Sequence, residues 1–254
     1  MKPMLKQILS FLALVVVNTA APYSFAEEWN FVLAPYALLP NISGDASLGR
    51  IDGVDVDVSA GDILESLELG GMIQGEAHHS SGAGLLLNYA FMNLGNSASG
   101  PLGFTNFDAS IFQGLLEAFG TYRFTFDTSV LDAYAGLRWW DINLDIDATI
   151  PIGSRSYDRS EDWVDPILGA RWIPRISHTW RLLVQGDVGG FDAASHFTWS
   201  TQLGGMWDAA EDISVVFLYR VLSVDYDTGT HGTKSYFQYD TITQGPLFGV
   251  VFSL

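Results

Sequence analysis

Six of the nine arginines, Arg123, Arg138, Arg171, Arg175, Arg181 and Arg220, stand singly inside stretches that otherwise alternate between apolar and small or polar residues. Five carboxylates, Glu76, Glu117, Asp132, Asp165 and Asp187, occupy equivalent positions. A guanidinium and a carboxylate form a two-pronged, charge-assisted pair, so these eleven residues are the chain's best candidates for concerted electrostatics. Gathered in one interior, they either line a conducting path or close it. A selectivity ring is expected to be dominated by one sign. Here six positive charges face five negative ones although the whole chain carries −17, so the set reads as a charge network that plugs its interior, and the acidic excess belongs to connecting segments.

Other constellations carry less. His78 and His79 are adjacent, and adjacent strand residues point to opposite faces, so they do not share a metal, and no third ligand is spaced to complete a set. His196 and His231 fall near Asp192, Asp225 and Asp227, where an acid/base site at an outer rim would have its groups. Aspartate is abundant in every connection of this chain, however, so solvated loop residues are the plainer reading. Ser195-His196 lacks the glycine-flanked turn that exposes a nucleophilic serine. Asp52 to Asp57 alternates carboxylates, which suits Ca²⁺ or Mg²⁺ without EF-hand spacing. No catalytic residue, resident metal or cofactor is expected, and divalent cations are expected only as partners of the acidic loops.

The elements that position the eleven residues follow from period two. In the stretch from Trp163 to Asp192, Val164, Leu168, Ala170, Trp172 and Ile176 share one face and Asp165, Gly169, Arg171 and Arg175 the other. After Ser177-His178 the alternation resumes, with Trp180, Leu182, Val184 and Val188 opposite Arg181, Gln185 and Asp187. Both limbs exceed the roughly five or six residues of a soluble strand. Strands with lipid on one face and a polar lumen on the other look like this. The same alternation runs through residues 30–39, 69–79, 84–94, 109–124, 130–147, 197–207, 213–221 and 236–254, making ten strands, with eight or twelve as alternatives. Pro35 makes the first strand irregular, and a slip of parity near Gly245-Pro246 suggests a bulge. Residues 41–68 and 145–162 read as acidic loops. Long loops and tight turns alternate, which puts both termini on the short-turn side. Trp139, Trp163, Trp172, Trp180, Trp199 and Trp207 read as an interfacial girdle rather than a sugar-stacking platform.

Composition agrees with one large all-β domain. The chain has 254 residues, 48% of them hydrophobic, 26 glycines and no cysteine. Disulfides, thiolate metal sites and a cysteine nucleophile are thereby excluded. Residues 1–26 read as a cleaved secretory leader: Lys2 and Lys6, an apolar core over residues 8–17, and small residues up to Ala26. Its removal takes the net charge from −17 to −19 and leaves residues 27–254 as the barrel. So acidic a chain does not bind nucleic acid through its phosphates. No later apolar run is long enough for a spanning helix, so any membrane segment must be β.

The last residues, Thr243 to Leu254, resemble the assembly signal on the final strand of Gram-negative outer-membrane proteins, although Leu254 departs from the usual terminal aromatic and the nearest one is Phe252. Together with Trp29 to Tyr36, the acidic Val54 to Glu76 segment, Val164 to Phe191, Tyr219-Arg220 and Gly245-Pro246, this resembles a broad, uncharacterised family of Gram-negative outer-membrane β-barrel proteins. The resemblance spans nearly all of the mature chain. It implies a single antiparallel transmembrane β-barrel in the outer membrane, with long extracellular loops and short periplasmic turns. Its implied partners are outer-membrane lipid, lipopolysaccharide and, during biogenesis, the barrel-assembly machinery. Fold alone supplies no activity. Three functions stay open: a structural or envelope-interaction barrel with a filled lumen, a narrow pore or transporter for small solutes, and a hydrolase with a site at the extracellular rim. A wide porin needs about sixteen strands and is excluded.

Overall fold

The computed structural model describes residues 28–49, 51–99, 106–150 and 153–254, so the leader expected over residues 1–26 lies outside the described residues. In chain order the elements are β1 (Trp29–Leu38), β2 (Asn41–Leu48), β3 (Ile51–Val58), α1 (Ala60–Ser66), β4 (Leu67–His79), β5 (Ala83–Ser99), β6 (Asn106–Phe126), β7 (Ser129–Ile150), β8 (Gly153–Pro174), β9 (Trp180–Gly190), β10 (Phe197–Ala210), β11 (Ile213–Thr228) and β12 (Phe237–Ser253). β1 and then β4 to β12 pair in sequence order, and β12 returns to β1. This closes a ten-stranded antiparallel barrel, with β2 and β3 as a hairpin outside it. Closure removes the unpaired edges that an open sheet would present to lipid.

Alternation separates the two faces as expected. Leu137, Val164, Leu168, Val188 and Leu203 are exposed on the outer wall, whereas Arg138, Asp165 and Asp187, each one residue away from one of them, are buried inside. Large side chains at the periplasmic end, including Tyr122, Phe124, Trp172, Trp180 and Trp207, are exposed outward and form an interfacial girdle.

Two acidic segments expected to be loops are built differently. Residues 41–48 and 51–58 form the β2–β3 hairpin, followed by α1, whose first turn is fixed by a reciprocal Ser59–Asp62 capping box. Residues 145–150 and 153–162 continue β7 and β8, each 22 residues long, about twice the 9–11 that a bilayer requires. Period two continues beyond the lipid there, and a β-hairpin results.

The ladder between β11 and β12 runs without a slip from Ile213↔Phe252 to Thr228↔Phe237, so the bulge expected near Gly245-Pro246 is absent. Instead, β12 changes partner there. Leu247 pairs with Leu38 of β1, and Gln244 pairs with Asn41 of β2. A Cβ on Gly245 would lie 2.0 Å from the Leu39 carbonyl oxygen, so the crossover of β1 into β2 needs glycine at that contact. The irregularity expected at Pro35 is present, because the β1–β4 ladder stops at Pro35↔Ile73.

Candidate functional site

Inside the barrel the charged residues form two clusters at different heights. In the periplasmic one, Arg123 of β6, Asp132 of β7 and Arg171 of β8 are neighbours across the ladders. Arg123 donates Nε and Nη2 to the two oxygens of Asp132 at 2.7 and 2.8 Å. Arg171 donates Nη2 to Asp132 at 2.8 Å and spans the lumen to Glu76 of β4, meeting its two oxygens at 2.6 Å each. Glu76 also accepts from Gln74 at 2.7 Å and contacts the His78 ring at 2.6 Å.

One step further out, Arg138 of β7 donates Nε to Glu117 of β6 at 2.7 Å and Nη2 to Asp187 of β9 at 3.0 Å. Arg220 of β11 reaches the same Glu117 at 3.2 Å. Asn88 donates to Glu117 at 2.7 Å, and Ser200 to Asp187 at 2.6 Å. Each cluster holds two guanidiniums against two carboxylates, and apart from the half-buried Arg123 every member is buried. Desolvating so many charges is costly, and only simultaneous pairing and hydrogen bonding offset it.

Above the charges the lumen is filled by rings. Trp163 of β8 stacks on Tyr226 of β11 at 3.9 Å and 3°, and on Trp140 of β7 at 5.6 Å. Asp165 lies just beneath and takes its hydrogen bonds from uncharged donors: the Ser195 amide at 2.9 Å, the Ser195 hydroxyl at 2.8 Å and the Trp163 indole at 3.2 Å. It pins the β9–β10 connection into the barrel mouth. At the periplasmic end Arg181 pairs with Asp208, and a cavity of about 340 Å³ lies between this pair and the clusters.

Several sequence expectations change. Arg175 is exposed in the β8–β9 turn, outside the lumen, because β8 ends at Pro174 and inward parity no longer applies. Arg171 belongs to the periplasmic cluster, since the ladder sets it opposite Asp132. Trp163 is a lumen residue and not part of the girdle; it shares the face of Asp165 two residues on. Ser195 is fully buried and engaged with Asp165. His196 points away from it, towards Asp192 and Asp227 on the exposed rim. Hydrogen bonds that the His196 ring donates to these two carboxylates, Asp192 first, raise its pKa to about 9. His78 turns inward to Glu76, while His79 meets Glu28 and Ser81 in the turn, so the two histidines diverge. Among the described residues no group of three metal-binding side chains is assembled.

No family model and no curated protein matches the chain. Solved structures do. The outer membrane protease OmpT from Escherichia coli superposes with a TM-score of 0.52 at 6% identity, over 89% of this chain and 97% of that one. The translocator domain of the autotransporter NalP from Neisseria meningitidis gives 0.49 at 11% identity, over 98% and 94%. Ail of Yersinia pestis gives 0.41 at 9% identity, over 89% and 99%. The chain has the fold of a Gram-negative outer-membrane β-barrel. At such identities the likeness concerns the fold alone, and the protease's activity does not come with it.

Within this outer-membrane barrel, period-two reading found the charged members but missed their uncharged partners. Asn88, Thr198, Ser200 and Tyr134 all lie on inward parity, but nothing in their neutral side chains marks them as partners of the charges. Tyr134 reaches Asp187 at 3.2 Å by lying across Gly169, where a Cβ would sit 2.4 Å from its ring. A glycine facing a tyrosine on the neighbouring strand was the available signal (Tyr134↔Gly169).

Proposed function

We propose that the protein is a non-conducting integral outer-membrane barrel with a structural or envelope-interaction role, its lumen sealed by paired charge. One observation carries the reading: Glu117 is shared by Arg138 and by Arg220 on the opposite wall, so ion pairs bridge the lumen near mid-depth. The balanced signs favour a plug over a selectivity ring, and the Trp140–Trp163–Tyr226 stack adds a second, apolar obstruction. The β2–β3 hairpin and the long β7–β8 hairpin stand beyond the bilayer, where they meet lipopolysaccharide, cations or a partner at the cell surface.

In this reading the protein is not an enzyme, since Ser195 is committed to Asp165 and His196 faces solvent. Liposome swelling tests the seal. Proteoliposomes of the intact protein should be no more permeable to arabinose or glycine than empty liposomes, and rapid swelling would favour a narrow pore.

A further inference from the structure

The wall is interrupted between β1 and β4. The β1–β4 ladder stops at Pro35↔Ile73, although β1 continues to Leu38 and β4 begins at Leu67. Pro35 and Pro40 have no amide proton to offer the neighbouring strand. The break begins seven residues above Trp29, and a transmembrane strand is about 9–11 residues long, so it lies in the outer-leaflet half of the bilayer. Backbone groups left unpaired in lipid are costly and must be covered or lie beside a cavity. Here α1 covers them, with Ile63 buried and Leu64 exposed beside it.

Beneath α1 a cleft of about 170 Å³ passes between the two strands. Ala37, Leu39, Phe91 and Leu64 form its outer lip, and Leu38 and Met72 lie within. A smaller chamber of about 50 Å³ continues inward, sharing Leu38, Met72, Phe91 and Met92 with the cleft and ending at Leu115, Leu222 and Arg220. Tyr36 lines both spaces and is held by Asn88 at 2.8 Å, so the passage reaches the polar cluster at its inner end.

We infer that this cleft is a lateral docking site for one acyl chain of an outer-leaflet lipid, with α1 as its cover. The occupant follows from continuity. The cleft opens on the stretch of wall that carries the exposed Leu33, Leu87 and Phe248, on β1, β5 and β12, which faces the lipid chains. Its lining is aliphatic, aromatic and thioether over most of its length. Met72 and Met92, which line both spaces, suit a flexible chain, because an unbranched, polarizable side chain adapts to whatever it packs against. The inference rests on the barrel's lying in a bilayer but not on the lumen's failure to conduct.

Methionine methyl groups provide the test. The protein is labelled with ¹³C at the methionine ε-methyls and placed in nanodiscs of dimyristoyl phosphatidylcholine, with protonated or deuterated chains. Cross-peaks from chain methylenes are expected at Met72 and Met92 and not at Met206, which is buried in the periplasmic half of the lumen. Chain deuteration should erase them. Leu38→Trp should also remove them while leaving the Met206 shift in place, which reports an intact barrel. Should Leu38→Trp fail to fold, Ala90→Leu, which narrows the inner chamber, replaces it. Absent cross-peaks at Met72 and Met92, equal cross-peaks at Met206, or signals unchanged by the blocking variant would each overturn the inference. Swelling measurements are independent of this result, so failure of the pocket and failure of the seal are separable.

Discussion

Glu117 and Arg220 stand on strands β6 and β11, at opposite walls of the barrel and 103 residues apart, and meet at 3.2 Å. Both side chains are buried. The lumen is therefore held from wall to wall by charge, and each bridging residue is costly to remove alone.

Glu117→Leu should lower stability by about 3–5 kcal/mol, because Arg138 and Arg220 would lose a common anion in a desolvated interior. Arg171→Leu should cost a comparable amount by stranding Glu76. Replacing Glu76 and Arg171 together by leucine should cost distinctly less than the sum of the single changes. The temperature at which the folded, fast-migrating band disappears on detergent gels measures all four variants. Strictly additive losses would mean that the pair is not coupled.

Gly169→Ala should destabilise the barrel by about 1–3 kcal/mol through overpacking against the Tyr134 ring. In a Tyr134→Ala background the same change should cost little, because the ring it would strike is gone. Denaturant midpoints in one detergent provide the comparison, and equal losses in the two backgrounds would rule out the ring contact.

Ser195 should behave as a structural residue. A serine-reactive fluorophosphonate should leave it unmodified in the folded protein, and Ser195→Ala should loosen the β9–β10 connection by removing the hydroxyl's hydrogen bond to Asp165 while the amide's remains. Proteolysis of residues 191–196 is expected to accelerate. Stoichiometric labelling of Ser195 would revive the hydrolase reading.

His196 provides a pH dependence at the extracellular rim. Its folded pKa is raised from the ordinary 6.5 to about 9 by Asp192 and then Asp227. A raised histidine pKa means that the imidazolium's contribution is fully present below about 6.5 and is lost as pH rises through about 9. With 55% of its side chain exposed the contribution is small and salt-sensitive. Imidazole resonances followed by NMR should titrate near 9, and in Asp192→Asn markedly lower. A midpoint near 6.5 in the intact protein would remove the pairing.

Much of this was legible in the sequence because a barrel wall has a period of two and one side of it cannot be polar. Ten of the eleven charged residues singled out lie inside the barrel, and the exception, Arg175, sits one residue past the end of β8, where parity ceases to carry meaning. What the sequence concealed depends on the stagger of distant strands. Nothing local says that Arg171 meets Glu76, 95 residues away, or that Trp163 stacks on Tyr226 rather than facing lipid. The wall break at Pro35 was visible as an irregularity, but its consequence was not, because the cover α1 follows from the path of the chain after β3.

The central claim, a lumen closed by paired charge, is tested most directly by single-channel recording of the purified, refolded protein in planar bilayers. The account predicts no steady conductance from the intact barrel, with transient openings at most in Glu117→Leu and Arg171→Leu. A stable open-channel current from the intact protein, unchanged by those two substitutions, would contradict it.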